Sequence, residues 1–101
     1  MARTPIHPGE ILADELEELR LSAAELARTI GVPSNRISQI IAGKRAISAD
    51  TALRLGRYFR MEAAFWMNLQ KIYELDIARR QLGSAIKHIP QRPTAPLHEI
   101  A

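Results

Sequence analysis

Between Ser34 and Arg45 the chain gathers side chains of the types that read nucleic-acid bases and hold phosphates. Ser34, Asn35, Arg36, Ser38 and Gln39 lie close together, and Lys44 and Arg45 follow directly after Gly43. Asparagine and glutamine present a paired donor and acceptor to adenine, and arginine a forked donor to guanine. Each such pair gives about 1–3 kcal/mol of discrimination against a wrong base. Lysine and arginine beside them would add sequence-independent attraction to the backbone.

Charge is distributed in the same sense. The net charge is only +3, but Arg28 to Arg60 holds seven bases (Arg28, Arg36, Lys44, Arg45, Arg54, Arg57, Arg60) against Asp50 alone. Glu10 to Arg20 holds five acids (Glu10, Asp14, Glu15, Glu17, Glu18) against one base. Eleven of the fourteen cations are arginine, the side chain suited to bidentate phosphate and guanine contacts. The central basic block points to a polyanion, and the acidic stretch could equally steer a basic protein or simply be a solvated helix face.

Other chemistries find little support. His7, His88 and His98 stand in the terminal segments without ligand spacing, so no metal site or cofactor is expected. The glycines occur singly, which excludes a glycine-rich phosphate loop, and no serine or histidine sits in a nucleophile-elbow context. The chain does not read as an enzyme.

The elements that must position these residues are helical, with no period-2 strand pattern. A first helix runs from Pro8 or Gly9 to Arg20, with Ile11, Leu12, Leu16 and Leu19 as its apolar stripe. Ser22-Ala23-Ala24-Glu25 is a capping box opening a second helix, and Gly31 suits its left-handed end. The third helix, Ser34 to Ala42, buries Ile37, Ile40 and Ile41 and turns Asn35, Arg36, Ser38 and Gln39 outward. A fourth starts at the cap Ser48 and ends at Tyr58 or Phe59, burying Ala52, Leu55, Gly56 and Phe59. The fifth, about 62–82, carries Phe65, Trp66, Leu69, Ile72, Tyr73 and Ile77, an apolar stripe wider than one neighbouring helix needs. Beyond Gly83, Pro90, Pro93 and Pro96 forbid a continuous helix. This tail reads as a loosely packed terminus or as a polyproline ligand.

Helix, glycine, short turn, helix is the helix-turn-helix plan, here at about 23–42. Ala27 is small enough for close helix crossing, Gly31 frees the turn, and Val32 with Ile37 fixes the crossing angle. The second helix of the pair then offers its polar N-terminal residues to a major groove.

Five segments carry a family resemblance: Ile6-His7-Pro8-Gly9-Glu10-Ile11-Leu12, Leu26-Ala27-Arg28-Thr29-Ile30-Gly31-Val32, Ile40-Ile41-Ala42-Gly43-Lys44-Arg45-Ala46-Ile47-Ser48, Ala52-Leu53-Arg54-Leu55 and Phe65-Trp66-Met67-Asn68-Leu69-Gln70. Together, over residues 6–82, the sequence resembles the HigA-type (VapI-type) antitoxins of the Xre, or lambda-repressor-like, helix-turn-helix superfamily. The resemblance implies an all-α, five-helix DNA-binding domain over residues 1–82; the Pro-rich tail over 83–101 is read from the chain itself. The resemblance also implies an antitoxin of a type II toxin–antitoxin pair. Such a protein neutralises a HigB-like messenger-RNA endonuclease and, as a homodimer, represses its own operon at a palindromic double-stranded operator. Carried onto this chain, Ser34, Asn35, Arg36, Ser38 and Gln39 fall in the recognition helix, and Lys44 and Arg45 beside the DNA backbone. Dimer contacts fall on Phe65, Trp66, Leu69, Ile72 and Tyr73. Pro33, just before the recognition helix, and the tail after Gly83 depart from the family pattern.

At 101 residues and 47% hydrophobic the chain is one domain's worth of core. Absence of cysteine, of a membrane-length apolar run and of a signal-peptide pattern leads to the expectation of a cytoplasmic protein without a membrane partner. Two other readings stay open: a stand-alone Xre-type repressor with no toxin, and a pure protein inhibitor whose helix-turn-helix no longer binds DNA.

Overall fold

The computed structural model describes residues 4–94. Their helices are α1 (Pro8–Leu19), α2 (Ala23–Ile30), α3 (Arg36–Ile41), α4 (Ala49–Phe59) and α5 (Ala63–Leu82). A 3₁₀ helix, Gly83–His88, follows α5, and there is no strand among the described residues.

Local sequence explains where the first helices start. His7 is extended, and its Nδ1 accepts the Gly9 N–H at 2.9 Å, while the Glu10 carboxylate accepts the His7 N–H at 3.1 Å. Ser22 and Glu25 make the same reciprocal pair at the head of α2, at 3.1 and 3.0 Å. The Ser22 bonds hold the Glu25 carboxyl below its ordinary range. Ser48 caps α4 by accepting the Thr51 N–H at 3.3 Å. Each cap satisfies N–H groups that the first turn of a helix leaves without partners.

The core comprises Leu12, Leu16, Leu26, Ala27, Ile37, Ile40, Ile47, Ala52, Leu55 and Trp66. α3 packs between α1 and α2, while α4 lies on α2 and α5, and α1 also touches α5. Two approaches are too close for any side chain. A Cβ at Gly9 would overlap the Ile40 carbonyl oxygen, and one at Gly56 would stand 2.7 Å from that of Met61. The first turn of α1 therefore rests on the C-terminal end of α3, and the end of α4 rests on the start of α5.

Two expectations are corrected, and a third is filled in. α3 begins at Arg36 rather than Ser34, because the Arg36 N–H donates to the Pro33 carbonyl at 2.9 Å and closes a turn ahead of the helix. Leu19 is 51% exposed and takes no part in the core, since it falls at the end of α1 beyond the reach of α3 and α5. The segment after Gly83 keeps helical winding in its 3₁₀ turn as far as His88, before Pro90. Residues 95–101, which include Pro96 and His98, lie outside the described residues.

Candidate nucleic-acid interface

The turn between α2 and α3 is fixed from two sides. Gly31 takes a left-handed conformation (φ 76°), and the N–H groups of Gly31 and Val32 donate to the Ala27 carbonyl at 2.9 and 3.0 Å. From α4, Arg54 Nη1 donates to the carbonyl oxygens of Ile30 (2.8 Å) and Gly31 (3.2 Å) while its Nε pairs with Asp50 at 3.1 Å. A guanidinium at a helix C-terminus both satisfies free carbonyls and opposes the dipole. Asp50, the one acid of the basic block, is thus engaged with Arg54.

Ser34 and Asn35 occupy the turn that leads into α3, and both are exposed. Ser38 is exposed on the first turn of α3, with its Oγ donating to the Asn35 carbonyl at 3.0 Å. Gln39 follows on the same helix, half-buried. Arg36 differs from the outward orientation expected of it. It is half-buried, reaches across to α4 with Nη1 3.4 Å from Thr51 Oγ1, and its buried Nε makes no hydrogen bond among the described residues. Arg36 adjoins the solvent-facing Asn35, but its side chain turns toward Thr51 of α4.

After α3, Gly43 turns the chain with φ 75°. The N–H groups of Gly43 and Lys44 return to the carbonyls of Ile40 (3.0 Å) and Gln39 (2.9 Å), so the corner is bonded to the helix it ends. Lys44 and Arg45 are exposed at this corner, and Arg45 Nε donates to Gln39 Oε1 at 2.8 Å. Ser34 and Asn35 therefore stand at the N-terminal end of α3 and Lys44 and Arg45 just beyond its C-terminal end, with Ser38 and Gln39 between them and Arg36 reaching toward α4. Two residues outside the expected set hold this arrangement: Arg54, and the buried Gln70 of α5, whose Oε1 accepts the Ile47 N–H at 2.8 Å. The sequence signal for Gln70 was its place four residues after Trp66, on the same inward face.

The helix-turn-helix family matches residues 12–66, more than half of the chain. Virulence-associated protein I of Dichelobacter nodosus is 46% identical over 86 residues, covering 84% of this chain and 80% of that protein. Among solved structures, an addiction module antidote protein of the HigA family from Coxiella burnetii superposes with a TM-score of 0.86 at 44% identity. It covers 89% of this chain and all of its own. The Pseudomonas aeruginosa antitoxin HigA, solved with the higBA promoter, gives a TM-score of 0.84 at 48% identity over 90% of this chain and 100% of that one. The chain belongs to the HigA-type helix-turn-helix antitoxins.

In this HigA-type chain α5 shows how the residues expected at a dimer contact divide. Trp66 has no exposed surface; it lies inside the protomer, its ring 5.8 Å from Phe59 and 5.2 Å from Phe65. It is a core residue rather than an interface anchor, because the turn of chain between α4 and α5 folds Phe59 and Met61 against the same core. Leu69 packs partly on that core, and Tyr73 places its ring edge-on to His7 at 4.8 Å. Phe65 and Ile72 remain open, at 41% and 48% exposure, and Leu75 and Leu82 extend their row along the helix at 45% and 48%. No helix of the described residues is long and apolar enough to cross a membrane. His7 and His88 are engaged locally, the latter with Nδ1 3.0 Å from the Ser84 carbonyl oxygen.

Proposed function

We propose that this HigA-type chain represses its own operon as a homodimer bound to a near-palindromic operator, and neutralises a HigB-like messenger-RNA endonuclease toxin. The observation that carries the DNA half is the exposed polar row at the start of α3, Ser34, Asn35 and Ser38, continued by Gln39 and flanked by exposed Lys44 and Arg45. Base-reading amides stand beside backbone-reading cations, with the exposed arginine and lysine on the same corner. Two such helices set in successive major grooves require half-sites about 34–36 Å apart, which makes the operator near-palindromic.

Dimerisation is supported by the row Phe65, Ile72, Leu75 and Leu82 on α5. These positions repeat at intervals of seven, three and seven, the seam of two helices packed side by side, and each is 41–48% exposed in the protomer. The acidic face of α1, with Asp14, Glu17 and Glu18 exposed, suits a toxin whose active site is basic enough to hold RNA.

The test is paired. The chain is combined in a gel-shift assay with duplex from its own upstream region, and co-expressed with the product of the adjacent reading frame. A Gln39→Ala, Lys44→Ala, Arg45→Ala variant should lose the shift and still rescue growth from the toxin. If the adjacent product is not toxic, the chain is a stand-alone repressor. If the triple variant still shifts the duplex, the recognition surface is misassigned.

A further inference from the structure

The corner that carries Lys44 and Arg45 is held at both ends, and the two holds come from different parts of the molecule. At its start, backbone bonds from Gly43 and Lys44 tie it to α3. At its end, the Ile47 N–H donates to Gln70 Oε1, a side chain from α5 lying 23 residues further along the chain, at 2.8 Å. Gln70 is only 5% exposed and Ile47 only 2%, so water does not compete for this bond. The other end of the Gln70 amide is also used, its Nε2 donating to Glu74 Oε2 at 2.9 Å, which fixes which way the amide points. Between the two anchors, Lys44, Arg45 and Ala46 are exposed.

We infer that Gln70 is a positioning residue for DNA binding: from the dimer helix it sets the reach of Lys44 and Arg45 toward the phosphates. The inference rests on the proposal that this corner meets the DNA backbone. Its physical basis is the cost of a buried N–H without an acceptor. An apolar side chain at position 70 leaves the Ile47 N–H unsatisfied, so the backbone leading into Ile47 shifts toward water while the Ile47 side chain stays in the core. Lys44 and Arg45 move with that backbone. The core around Leu55 and Trp66 does not depend on that bond, because their own packing is apolar.

The experiment measures operator affinity across a salt series, since the slope of log K against log salt counts phosphate contacts at about 0.9 for each one. A role in stability alone lowers the folded fraction and leaves that slope unchanged. Gln70→Met should reduce affinity about tenfold and flatten the slope by about one to two contacts per protomer. Gln70→Glu keeps an acceptor for the Ile47 N–H but places a carboxylate against Glu74. It should lower thermal stability while restoring the wild-type slope. The double variant Lys44→Ala, Arg45→Ala flattens the slope by itself, and adding Gln70→Met to it should flatten the slope no further. A Gln70→Met protein with reduced affinity and an unchanged slope would overturn the inference alone. An unchanged slope in the Lys44→Ala, Arg45→Ala protein would overturn the assignment of the corner to DNA.

Discussion

Arg45 donates through Nε to Oε1 of Gln39 at 2.8 Å, so a residue of the corner after the recognition helix holds the amide of a residue on that helix. The bond occupies one acceptor site of the Gln39 oxygen and makes no use of its NH₂ group. An amide held this way donates to purine N7 or guanine O6 in a major groove, whereas an adenine pair would need the oxygen as well. Gln39→Ala should relax preference at one base pair per half-site by about 1–3 kcal/mol and leave the salt dependence unchanged. Arg45→Ala should do both: flatten the salt slope by about one and free Gln39 to accept adenine. Binding measured against a panel of singly substituted operators separates the two outcomes.

Arg54 deserves a stability test of its own, because it joins α4 to the turn between α2 and α3. Its exposed guanidinium bonds the Ile30 and Gly31 carbonyls and pairs with Asp50. Arg54→Met should destabilise the fold by about 1 kcal/mol, a modest figure because the side chain is solvated. For a domain of this size the melting temperature should fall by about 4–8 °C. Asp50→Asn, which removes the salt bridge and keeps the two carbonyl bonds, should cost much less.

Gly9 gives the sharpest steric prediction. A methyl group there overlaps the Ile40 carbonyl oxygen and approaches the Ile41 Cα to 2.9 Å, both backbone atoms that cannot rotate away. Gly9→Ala should therefore separate α1 from the end of α3 and cost about 3 kcal/mol, the upper range for overpacking. Urea unfolding measures it. Gly83→Ala separates the two kinds of cost, since a Cβ there meets nothing within 4 Å and any loss comes from the backbone alone, whose φ of 54° and ψ of −127° only glycine adopts readily, about 1–3 kcal/mol.

Acid should weaken the fold through His7. Burial pushes its pKa below the ordinary 6.5, and the nearby Glu10 carboxylate only partly opposes this. Neutral His7 is required, because its Nδ1 accepts the Gly9 N–H. The unfolded chain binds this proton more readily than the folded one, so the contribution is complete above the unfolded value and fades as pH falls below it. The melting temperature should start to drop as pH falls to about 6.5, the unfolded value, and go on falling as the lower folded-state value is passed. His7→Asn keeps a capping acceptor and should remove the His7 part of that drop. The Glu25 carboxyl, held low by Ser22, titrates below this window and does not contribute to it.

Much of this architecture was legible in the sequence, for reasons visible in particular residues. Ser22 with Glu25, Gly31, and Ser48 are local signals whose meaning depends on a few neighbours, and the helix ends they mark are where expected. The outward orientation of Arg36 and the interface part of the Trp66 reading were not legible, because both are decided by other elements. Arg36 is on the outer side of its own short helix by periodicity, yet Thr51 of α4 is near enough to draw it inward. Trp66 shares a stripe with Phe65 and Ile72, and only the fold of the α4–α5 turn shows that it faces Phe59 inside the protomer. The spacing of Gln70 from Trp66 marks it as inward-facing, but its partner was not legible because that partner is a backbone N–H, which every residue but proline carries.

The decisive measurement is sedimentation of the purified chain with a duplex of its own upstream region and with a scrambled duplex, at low and at high salt. A dimer that binds the native duplex, ignores the scrambled one and releases DNA steeply as salt rises is the expected result. A monomer, or equal binding to both duplexes, would contradict two-fold, sequence-specific recognition by α3.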